Sequence, residues 1–459
     1  MKRAIPLFLL LFCTALVQAQ CFTQLCAGSR HAIALKEDGT LWAWGNNYTA
    51  QLGNSTWGFV ATEQQVGTDT DWVFISAGPS YNMAIKANGT LWGWGDGYAG
   101  EIGIGTNALV VNPTQVGSDT NWAYVSCGDD YTLAIKADGS LWGWGYNGYI
   151  TLGNNSSAYS TVPVRAGTDN DWAKVAAGAA HAIALKADGT LWGWGTNFYG
   201  VLGNGTSPDV GDPGYFTYAP QQIGTAADWK YISAGMFNSA AIKNNNTLWV
   251  WGQNYLGTIG NGTTAPVLVP QQAAAGEWLS VAFQKEIFSG NIMALRQDGT
   301  LWMSGSNGDG QLGNGTAANT TTLTQIALGG PVLHAALGGT WVIASLSNEM
   351  AVWGNNDYGQ LGNGSQTSYL SPLYRSCDAL YVPEIQYKNQ LVYPNPTTTA
   401  LYFSGNEIPE KIYIYNVAGT LLLTVKGKTQ IDVAQLPAGV YVLKIETSAG
   451  TQTQKFIKQ

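Results

Sequence analysis

The sequence predicts an all-β protein, with a seven-bladed β-propeller followed by a small C-terminal β-sandwich of immunoglobulin-like type. The first observation is composition: of 459 residues, 58 are glycine and 19 are tryptophan, while only 11% are charged, which is typical of β proteins with many turns. The second is a motif that recurs seven times at intervals of about 50 residues. The third is a tryptophan-free tail in which short alternating strands are separated by glycine and proline turns.

Residues 1–19 have the pattern of a secretory signal peptide. Lys2 and Arg3 precede an apolar run from Ala4 to Val17, and Ala19 ends a small-residue cleavage site. The run is shorter than the ~20 residues of a membrane-spanning helix, and no later segment supplies one. We therefore expect an exported chain without a transmembrane span.

Residues 20–377 consist of the repeat. Each unit is built on a Leu-Trp-x-Trp-Gly motif, which follows a segment like Ala-Gly-x-x-His-x-x-Ala-Leu-x-x-Asp-Gly and precedes one like Gln-Leu-Gly-Asn-Gly. The Trp motif begins at Leu41, Leu91, Leu141, Leu191 and Leu248, and it decays at Leu301 and Met350.

Each unit is predicted to form four strands. In the fourth unit these are Trp172–Gly178, His181–Lys186, the strand with the two tryptophans, and Ala219–Ile223. Asp188 begins a two-residue Asp-Gly hairpin turn between the second and third strands. The two indole rings share one face, because side chains alternate along a strand. Four-stranded units repeated four to eight times are typical of a β-propeller.

These three motifs resemble the repeat of the regulator of chromosome condensation family. The resemblance covers roughly Cys21 to Cys377, and the pattern is broken at Phe283–Asn291 in the sixth unit and at Ser347–Met350 in the seventh. It implies a seven-bladed propeller. From the family's parent, it also implies nucleotide exchange on a small nuclear GTPase and docking on chromatin.

Charge and export argue against those two activities in this chain. The propeller segment holds 12 basic and 23 acidic residues. A surface of that sign repels phosphate backbones, so no nucleic-acid partner is expected. Guanine-nucleotide exchange is kept as an alternative that rests on homology alone. A shared fold does not by itself establish a shared function.

After a linker at residues 378–388, residues 389–459 carry four short motifs in a fixed order. These resemble the type A sorting domain of the type IX secretion system. The resemblance implies that the tail is an address for an outer-membrane translocon, and that the protein is secreted or attached to the outer cell surface. The positions that carry it are Tyr393, Pro394, Asn395, Pro396, Gly419, Gly439, Lys455 and Lys458.

No catalytic, metal or cofactor site is predicted. His31 and His181 share one repeat position, and we interpret them as strand-end caps with local hydrogen bonds rather than as a ligand-binding ring. Segments such as Asp69–Asp71 lack the distant Glu of an EF-hand loop, so they are interpreted as turns rather than calcium sites. Lys86 and its equivalents are expected at solvated hairpin ends.

The predicted function is a non-catalytic binding or adhesion module whose ligand is an extracellular protein or glycan. The fourth interval is seven residues longer than 50, with the excess inside Ser207–Tyr218, and loops that break a repeat often form its binding face. Ligand contacts are therefore predicted for Asp212, Tyr215, Phe216 and Tyr218. The alternative is that this loop packs against its own blade and binds nothing. An extracellular carbohydrate-active enzyme, which would need paired carboxylates, and a structural surface component are the alternatives.

The two ends of the propeller are predicted to be joined by a disulfide. Aligning the first and last units on an internal junction places Cys21 and Cys377 at positions three residues apart, within the reach of a disulfide. Cys26 and Cys127 fall on blades that are not neighbours, so they are expected to remain buried thiols. Pairing Cys26 with Cys377 would require the terminal strand to reach inward past the blade edge.

Overall fold

The structure, a computed structural model, describes residues 21–285, 290–376, 392–393, 396–403, 409–416, 420–447 and 450–459. The chain divides into two compact units, Met1–Leu380 and Tyr381–Gln459. The predicted signal peptide at residues 1–19 and the linker at residues 378–388 lie outside the described residues.

Seven four-stranded antiparallel sheets, blades 1 to 7, follow one another in the described part of the first unit, and strands adjacent in sequence are adjacent in each sheet. Two short 3-10 helices, Phe198–Gly200 and Tyr255–Gly257, follow the third strands of blades 4 and 5. The strands are Gln24–Ala27, His31–Leu35, Leu41–Asn46 and Phe59–Gln65 in blade 1; Trp72–Ala77, Tyr81–Lys86, Leu91–Gly95 and Val110–Gln115 in blade 2; Trp122–Cys127, Tyr131–Lys136, Leu141–Gly145 and Ser160–Arg165 in blade 3; Trp172–Ala177, His181–Lys186, Leu191–Thr196 and Phe216–Gln222 in blade 4; Trp229–Ala234, Asn238–Lys243, Leu248–Gly252 and Val267–Gln272 in blade 5; Trp278–Phe283, Asn291–Arg296, Leu301–Gly305 and Thr320–Gln325 in blade 6; and His334–Leu337, Trp341–Ser345, Glu349–Gly354 and Tyr369–Ser376 in blade 7.

The blades form a closed ring around their first strands. Each first strand contacts the first strands of the blades before and after it, and the first strand of blade 7 contacts that of blade 1. The predicted seven-bladed propeller is confirmed, including blades 6 and 7, whose motifs had decayed. The fourth strand of blade 4 begins at Phe216 rather than at Ala219, because Phe216 already pairs with Thr196.

Each blade is tied to the blade before it by the second tryptophan of its third strand. Trp194 Nε1 donates to the carbonyl oxygen of Thr151 in blade 3 at 2.7 Å. A side chain on Gly153 would meet the indole of Trp194, so the Gly of the Gln-Leu-Gly-Asn motif makes room for the neighbouring blade. In blade 6 a serine replaces this tryptophan, and Ser304 Oγ donates to the carbonyl oxygen of Gly257 at 2.8 Å. The same indole bond joins Trp94 to Gln51, Trp144 to Glu101, Trp251 to Val201 and Trp353 to Gln311.

The seam between blades 7 and 1 repeats this chemistry. Trp44 Nε1 donates to the carbonyl oxygen of Gln360 at 2.9 Å, and Trp341 Nε1 donates to that of Ser29 at 3.0 Å. No strand is exchanged across the seam among the described residues, since blade 1 and blade 7 are each built from one continuous segment. Buried side chains and indole hydrogen bonds therefore close the ring.

Cys21 lies at this seam, where it is buried together with Phe22 and Trp341. It is not among the free thiols of the described chain, which are Cys26 and Cys127. Cys377 falls outside the described residues, so its disulfide with Cys21 stays a prediction.

The lysines that end the second strands are not solvated, so that expectation was wrong. Lys86 Nζ lies 4.7 Å and 4.8 Å from the ring centres of Trp72 and Trp92, and its side chain is only 10% exposed. Burial disfavours the Lys86 charge, but hydrogen bonds to Asp69 and Asp71 outweigh this effect, and the pKa is raised. Equivalent cations lie between two indoles at Lys136, Lys186, Lys243 and Arg296.

The two buried histidines also bond between blades. His31 Nε2 lies 2.9 Å from Asn82 Oδ1 in blade 2, and His181 Nε2 lies 2.9 Å from Ser239 Oγ in blade 5. Their interpretation as local strand-end caps was therefore wrong. Burial lowers the pKa of His31 to about 4 and that of His181 to about 3, so both are neutral parts of the framework at neutral pH.

The second unit contains a three-stranded and a four-stranded sheet in its described residues. Side chains from both sheets share one core, which includes Leu401, Ile414, Ile431, Leu443 and Phe456. This agrees with the predicted small β domain. Its strands are Val392–Tyr393, Ala400–Phe403, Lys411–Asn416, Leu421–Lys426, Gln430–Asp432, Gly439–Thr447 and Gly450–Lys458.

The predicted sorting positions are only partly described. Gly439 begins one strand of the four-stranded sheet, and its partner strand carries Lys455 and Lys458. Lys458 is buried, and its Nζ donates to the backbone carbonyl oxygen of Gln459 at 2.6 Å. Pro396 is exposed, and the backbone of Tyr393 pairs in the three-stranded sheet. Outside the described residues lie Pro394, Asn395 and Gly419.

The indole bonds predict a specific loss of stability. Trp194→Phe keeps an aromatic ring but leaves the Thr151 carbonyl oxygen without the indole donor, so we expect a loss of ~1–3 kcal/mol in the free energy of unfolding. Urea unfolding followed by fluorescence measures it. Trp57→Phe is the control, since Trp57 is 59% exposed and its replacement should leave stability unchanged. Equal unfolding midpoints for the two variants would contradict the role assigned to the indole.

Candidate binding face

One end of the ring, the loop face, is built by two sets of connections. Because neighbouring strands are antiparallel, the turns between first and second strands and the loops between third and fourth strands emerge at the same end. In the described residues, the turns are 28–30, 78–80, 128–130, 178–180, 235–237, 284–285 with 290, and 338–340. The loops are residues 47–58, 96–109, 146–159, 197–215, 253–266, 306–319 and 355–368.

A buried asparagine organises most of these loops from inside. Asn197 Oδ1 accepts from the backbone N–H of Leu202 at 3.1 Å, and its Nδ2 donates to the carbonyl oxygen of Thr206 at 3.1 Å. These bonds satisfy backbone groups within the loop. Equivalent asparagines are Asn47, Asn147, Asn254, Asn307 and Asn356.

The long loops combine aromatic and acidic residues without any cation. The seven loops contain eleven aromatic and six acidic residues, and no Lys, Arg or His. Two of the most exposed large side chains of the described chain, Tyr98 and Tyr255, are 66% and 67% exposed. Exposed aromatic residues framed by polar groups are typical of interaction surfaces.

Eight of the rings on blades 3 to 5, the aromatic patch, lie close together. Phe198 is central to it, with its ring centre 6.4 Å from that of Tyr215 and 5.9 Å from that of Phe237 in blade 5. Tyr215 lies near Tyr149 of blade 3. The pKa of Tyr215 is raised, mainly by burial and secondly by the nearby phenol of Tyr149. The patch consists of Tyr146, Tyr149, Phe198, Tyr199, Tyr215, Phe216, Tyr218 and Phe237.

The structure brings three of the four sequence-predicted ligand contacts into this patch. The ring centre of Phe216 is 4.8 Å from that of Tyr215 and 6.3 Å from that of Tyr218. Phe216 and Tyr218 stand on the fourth strand of blade 4 rather than in its loop. Asp212 is at the exposed tip of the loop, where its Oδ2 accepts from the backbone N–H of Asp209 at 3.3 Å.

Sequence reasoning missed the part of the patch contributed by blades 3 and 5. Tyr146 and Tyr149 belong to a loop of ordinary length, and Phe237 belongs to a short turn, so nothing in the repeat spacing singled them out. An aromatic residue recurs three positions after the Trp motif, at Tyr48, Tyr98, Phe198 and Tyr255, and this signal could have revealed Phe198 but none of those three residues.

An acidic group lies beside the patch, at the junction of blades 2 and 3. Glu101 is 2% exposed and occupies the Gln position of the Gln-Leu-Gly-Asn motif. Burial, followed by the nearby Asp96 and Asp130 carboxylates, raises the pKa of Glu101 to about 8. Its Oε2 accepts from the backbone N–H of Ala99 at 2.8 Å, as Gln51 Oε1 does from Thr49 in blade 1. A protonated Glu101 therefore takes the same hydrogen-bonding role as the glutamine amide at this position in blade 1.

The first strands of the blades surround an axial cavity of about 250 Å³. Lys285 Nζ reaches across it from blade 6 and donates to the carbonyl oxygen of Cys127 in blade 3 at 2.5 Å. Burial raises the pKa of Cys26 to about 12 and that of Cys127 to about 11, and it lowers the pKa of Lys285. Both thiols are therefore protonated at neutral pH and poorly nucleophilic.

The described residues form neither a metal cluster nor a membrane-spanning helix. No cluster of three or more His, Cys, Asp or Glu side chains in this part of the chain could hold a metal ion. Within the same ranges, no helix has the length and apolar character needed to cross a bilayer.

Comparison with known families gives two matches. The model of a family described as an RCC1-like domain matches residues 10–271. A second, described as a secretion system C-terminal sorting domain, matches residues 391–459.

Curated relatives share short stretches of the chain. Protein RCC2 homolog of Danio rerio is 30% identical over 142 residues, which cover 30% of this chain and 28% of the relative. The ultraviolet-B receptor UVR8 of Arabidopsis thaliana is 28% identical over 148 residues, or 31% of this chain and 33% of the receptor. The chain thus spans about a third of the length of these relatives.

Solved structures match the propeller at low sequence identity. Human WBSCR16 superposes with a TM-score of 0.63 at 20% identity, covering 73% of this chain and 93% of that one. Prp20p of Saccharomyces cerevisiae, described with its binding to Gsp1p and histones, superposes with a TM-score of 0.62 at 21% identity, covering 70% and 81%. At such identities the likeness shows the fold alone.

Glu101 predicts a pH-dependent stability. Because its pKa is about 8 in the folded chain against an ordinary 4.5, the folded state binds the proton more tightly, and stability falls as pH rises from 4.5 to about 8. Glu101→Gln removes this ionisation, so urea unfolding should show its advantage over the wild type growing through that interval and levelling off above it. Asp309→Asn, at an exposed position, is the control. A constant difference between Glu101→Gln and the wild type at all pH values would contradict the assignment.

Proposed function

Because the chain belongs to the RCC1-like domain family and ends in a type IX secretion sorting domain, we propose that it is an extracellular binding or adhesion module. The sorting domain directs the chain to secretion or to the outer cell surface. The propeller then presents its loop face to a ligand. Its partners are the type IX translocon, through the tail, and an extracellular protein or glycan.

The aromatic patch is the observation that supports this proposal. Tyr146, Tyr149, Phe216 and Tyr218 are each between 37% and 45% exposed, although the same chain buries most of its tryptophans in the blades. The four other rings of the patch are half-buried. Contiguous exposed rings of this kind cost solubility, and aromatic residues are enriched in the cores of protein interfaces.

The reactive groups of the propeller favour binding over catalysis. His31 and His181 are neutral and hydrogen-bonded between blades, and burial keeps the thiols of Cys26 and Cys127 protonated. A general acid or base needs a pKa near the working pH and access to substrate. Exchange-factor activity is not carried over, because it needs an intracellular GTPase and the sorting domain directs this chain outward.

Deletion of residues 208–216 tests the site. We expect the deletion to abolish binding of the purified propeller to its ligand on glycan and protein arrays, while circular dichroism and thermal melting remain close to those of the parent. Trp57→Ser, which changes an exposed ring in blade 1, is the matched control and should bind normally. Undiminished binding by a folded deletion variant would exclude this part of the loop face.

Removal of residues 389–459 tests the route of export. The propeller closes its own ring and has its own core, so the truncated chain should fold and accumulate in the periplasm instead of reaching the cell surface. Fractionation and surface proteolysis of the producing cells measure this. The chain that keeps its tail but lacks residues 208–216 is the control and should be exported. Truncated protein at the surface at normal levels would refute the role of the tail.

A further inference from the structure

We propose that the aromatic patch binds a cationic segment, rich in lysine or arginine, of an extracellular protein. The inference rests on the proposed function, because it names the class of ligand that the loop face takes. Two properties of this face carry it: the sign of its charge and the supply of rings that a cation can approach.

The charge of the loop face is one-sided. Its described turns and loops hold eight acidic residues, of which the buried Glu101 is protonated, against two basic ones, Arg30 and Lys285. Both cations are already engaged: Arg30 lies 4.9 Å over the ring of Tyr358, and Lys285 donates to a backbone carbonyl oxygen. An arriving cation therefore meets carboxylates with little internal competition, which is the condition for electrostatic complementarity. The acidic residues are Asp96, Glu101, Asp129, Asp130, Asp209, Asp212, Asp309 and Asp357.

At the opposite end of the blades, this chain already binds cations between rings. Lys136 Nζ lies 4.0 Å from the ring centre of Trp142 and 4.8 Å from that of Trp122, with an Asp119 oxygen 2.6 Å away. Ring faces and a carboxylate together hold the ammonium group. The aromatic patch offers the same two ingredients, but its loops contain no lysine or arginine to occupy them.

A glycan is the competing occupant, and the charge distribution decides against it. Sugar rings could also lie against Tyr149 or Tyr218, but a neutral sugar gains little from the acidic excess, and an anionic one is repelled by it. A cationic peptide uses both the rings and the carboxylates. It also gains in association rate from the long-range field of the face.

A labelled deca-lysine peptide and its fully acetylated counterpart are the probes, with the mature full-length chain as receptor. The test variant is the double substitution Tyr149→Leu with Tyr218→Leu. These side chains are 44% and 45% exposed, so we expect the variant to fold. Its matched partner is Tyr149→Phe with Tyr218→Phe, which keeps both rings. Tyr48→Leu, an exposed tyrosine in blade 1, controls for a ring lost outside the patch.

We expect the lysine peptide to bind, and the Leu pair to weaken it about tenfold, as for the loss of two cation–π contacts. The Phe pair and Tyr48→Leu should stay within about twofold of the parent. Raising ionic strength from about 0.05 M to about 0.5 M should weaken every complex. Equal binding of the acetylated peptide, or equal binding by the parent and the Leu pair, would overturn the proposal, because general attraction to an acidic protein does not depend on two rings.

The same measurements separate this inference from the proposed function. If a glycan is bound, lost on deletion of residues 208–216 and indifferent to the lysine peptide, the binding module stands and the cationic ligand is wrong. If the deletion leaves cell or matrix binding intact while the Leu pair loses the lysine peptide, the patch recognises cations, but the adhesion assigned to this part of the loop face is wrong.

Discussion

The ring depends on one recurring interaction, the hydrogen bond from a buried indole N–H to a backbone carbonyl of the preceding blade. A buried carbonyl without a donor costs ~1–3 kcal/mol, and a neighbouring sheet without a partner would expose its apolar face. The second tryptophan of each third strand meets both needs, since Trp194 fills the space above Gly153 and also donates to Thr151. Where it is lost, in blade 6, Ser304 keeps the hydrogen bond and gives up the ring.

The hairpin end and the loop end of the propeller carry opposite arrangements of charged and aromatic side chains. At the hairpin end, cations such as Lys86 are enclosed between indoles and matched by carboxylates of the preceding connection. At the loop end, acidic residues and exposed rings predominate, and the buried carboxyl of Glu101 is held protonated by its surroundings. The first arrangement joins strands within the fold. The second leaves exposed rings and carboxylates at the surface, where we propose that the ligand binds.

The fold could be predicted well from the sequence because the same pattern of strands and turns occurs in each of seven units. Even the decayed seventh unit forms four strands, since Trp353 still reaches the preceding blade. The predictions failed where a side chain bonds beyond its own strand: Lys86 lies between two tryptophans of neighbouring strands, and His31 bonds to the next blade. The sequence pointed to only part of the candidate patch for the same reason, because an unusual loop length singled out Tyr215, while Tyr149 comes beside it only through the packing of neighbouring blades.

The seam of this ring uses the same indole hydrogen bond as most of the other junctions. Trp44 meets Gln360 as Trp94 meets Gln51, across a boundary where the chain itself is absent. The packing between blades therefore does not mark which blade begins the chain. The position of the chain ends around the ring is set by the order of the repeats in the sequence. A circularly permuted chain, opened at any connection between a fourth strand and the next first strand, would contain the same set of inter-blade contacts. Evolution could accordingly have moved the termini, or changed a loop on one blade, without redesigning the rest.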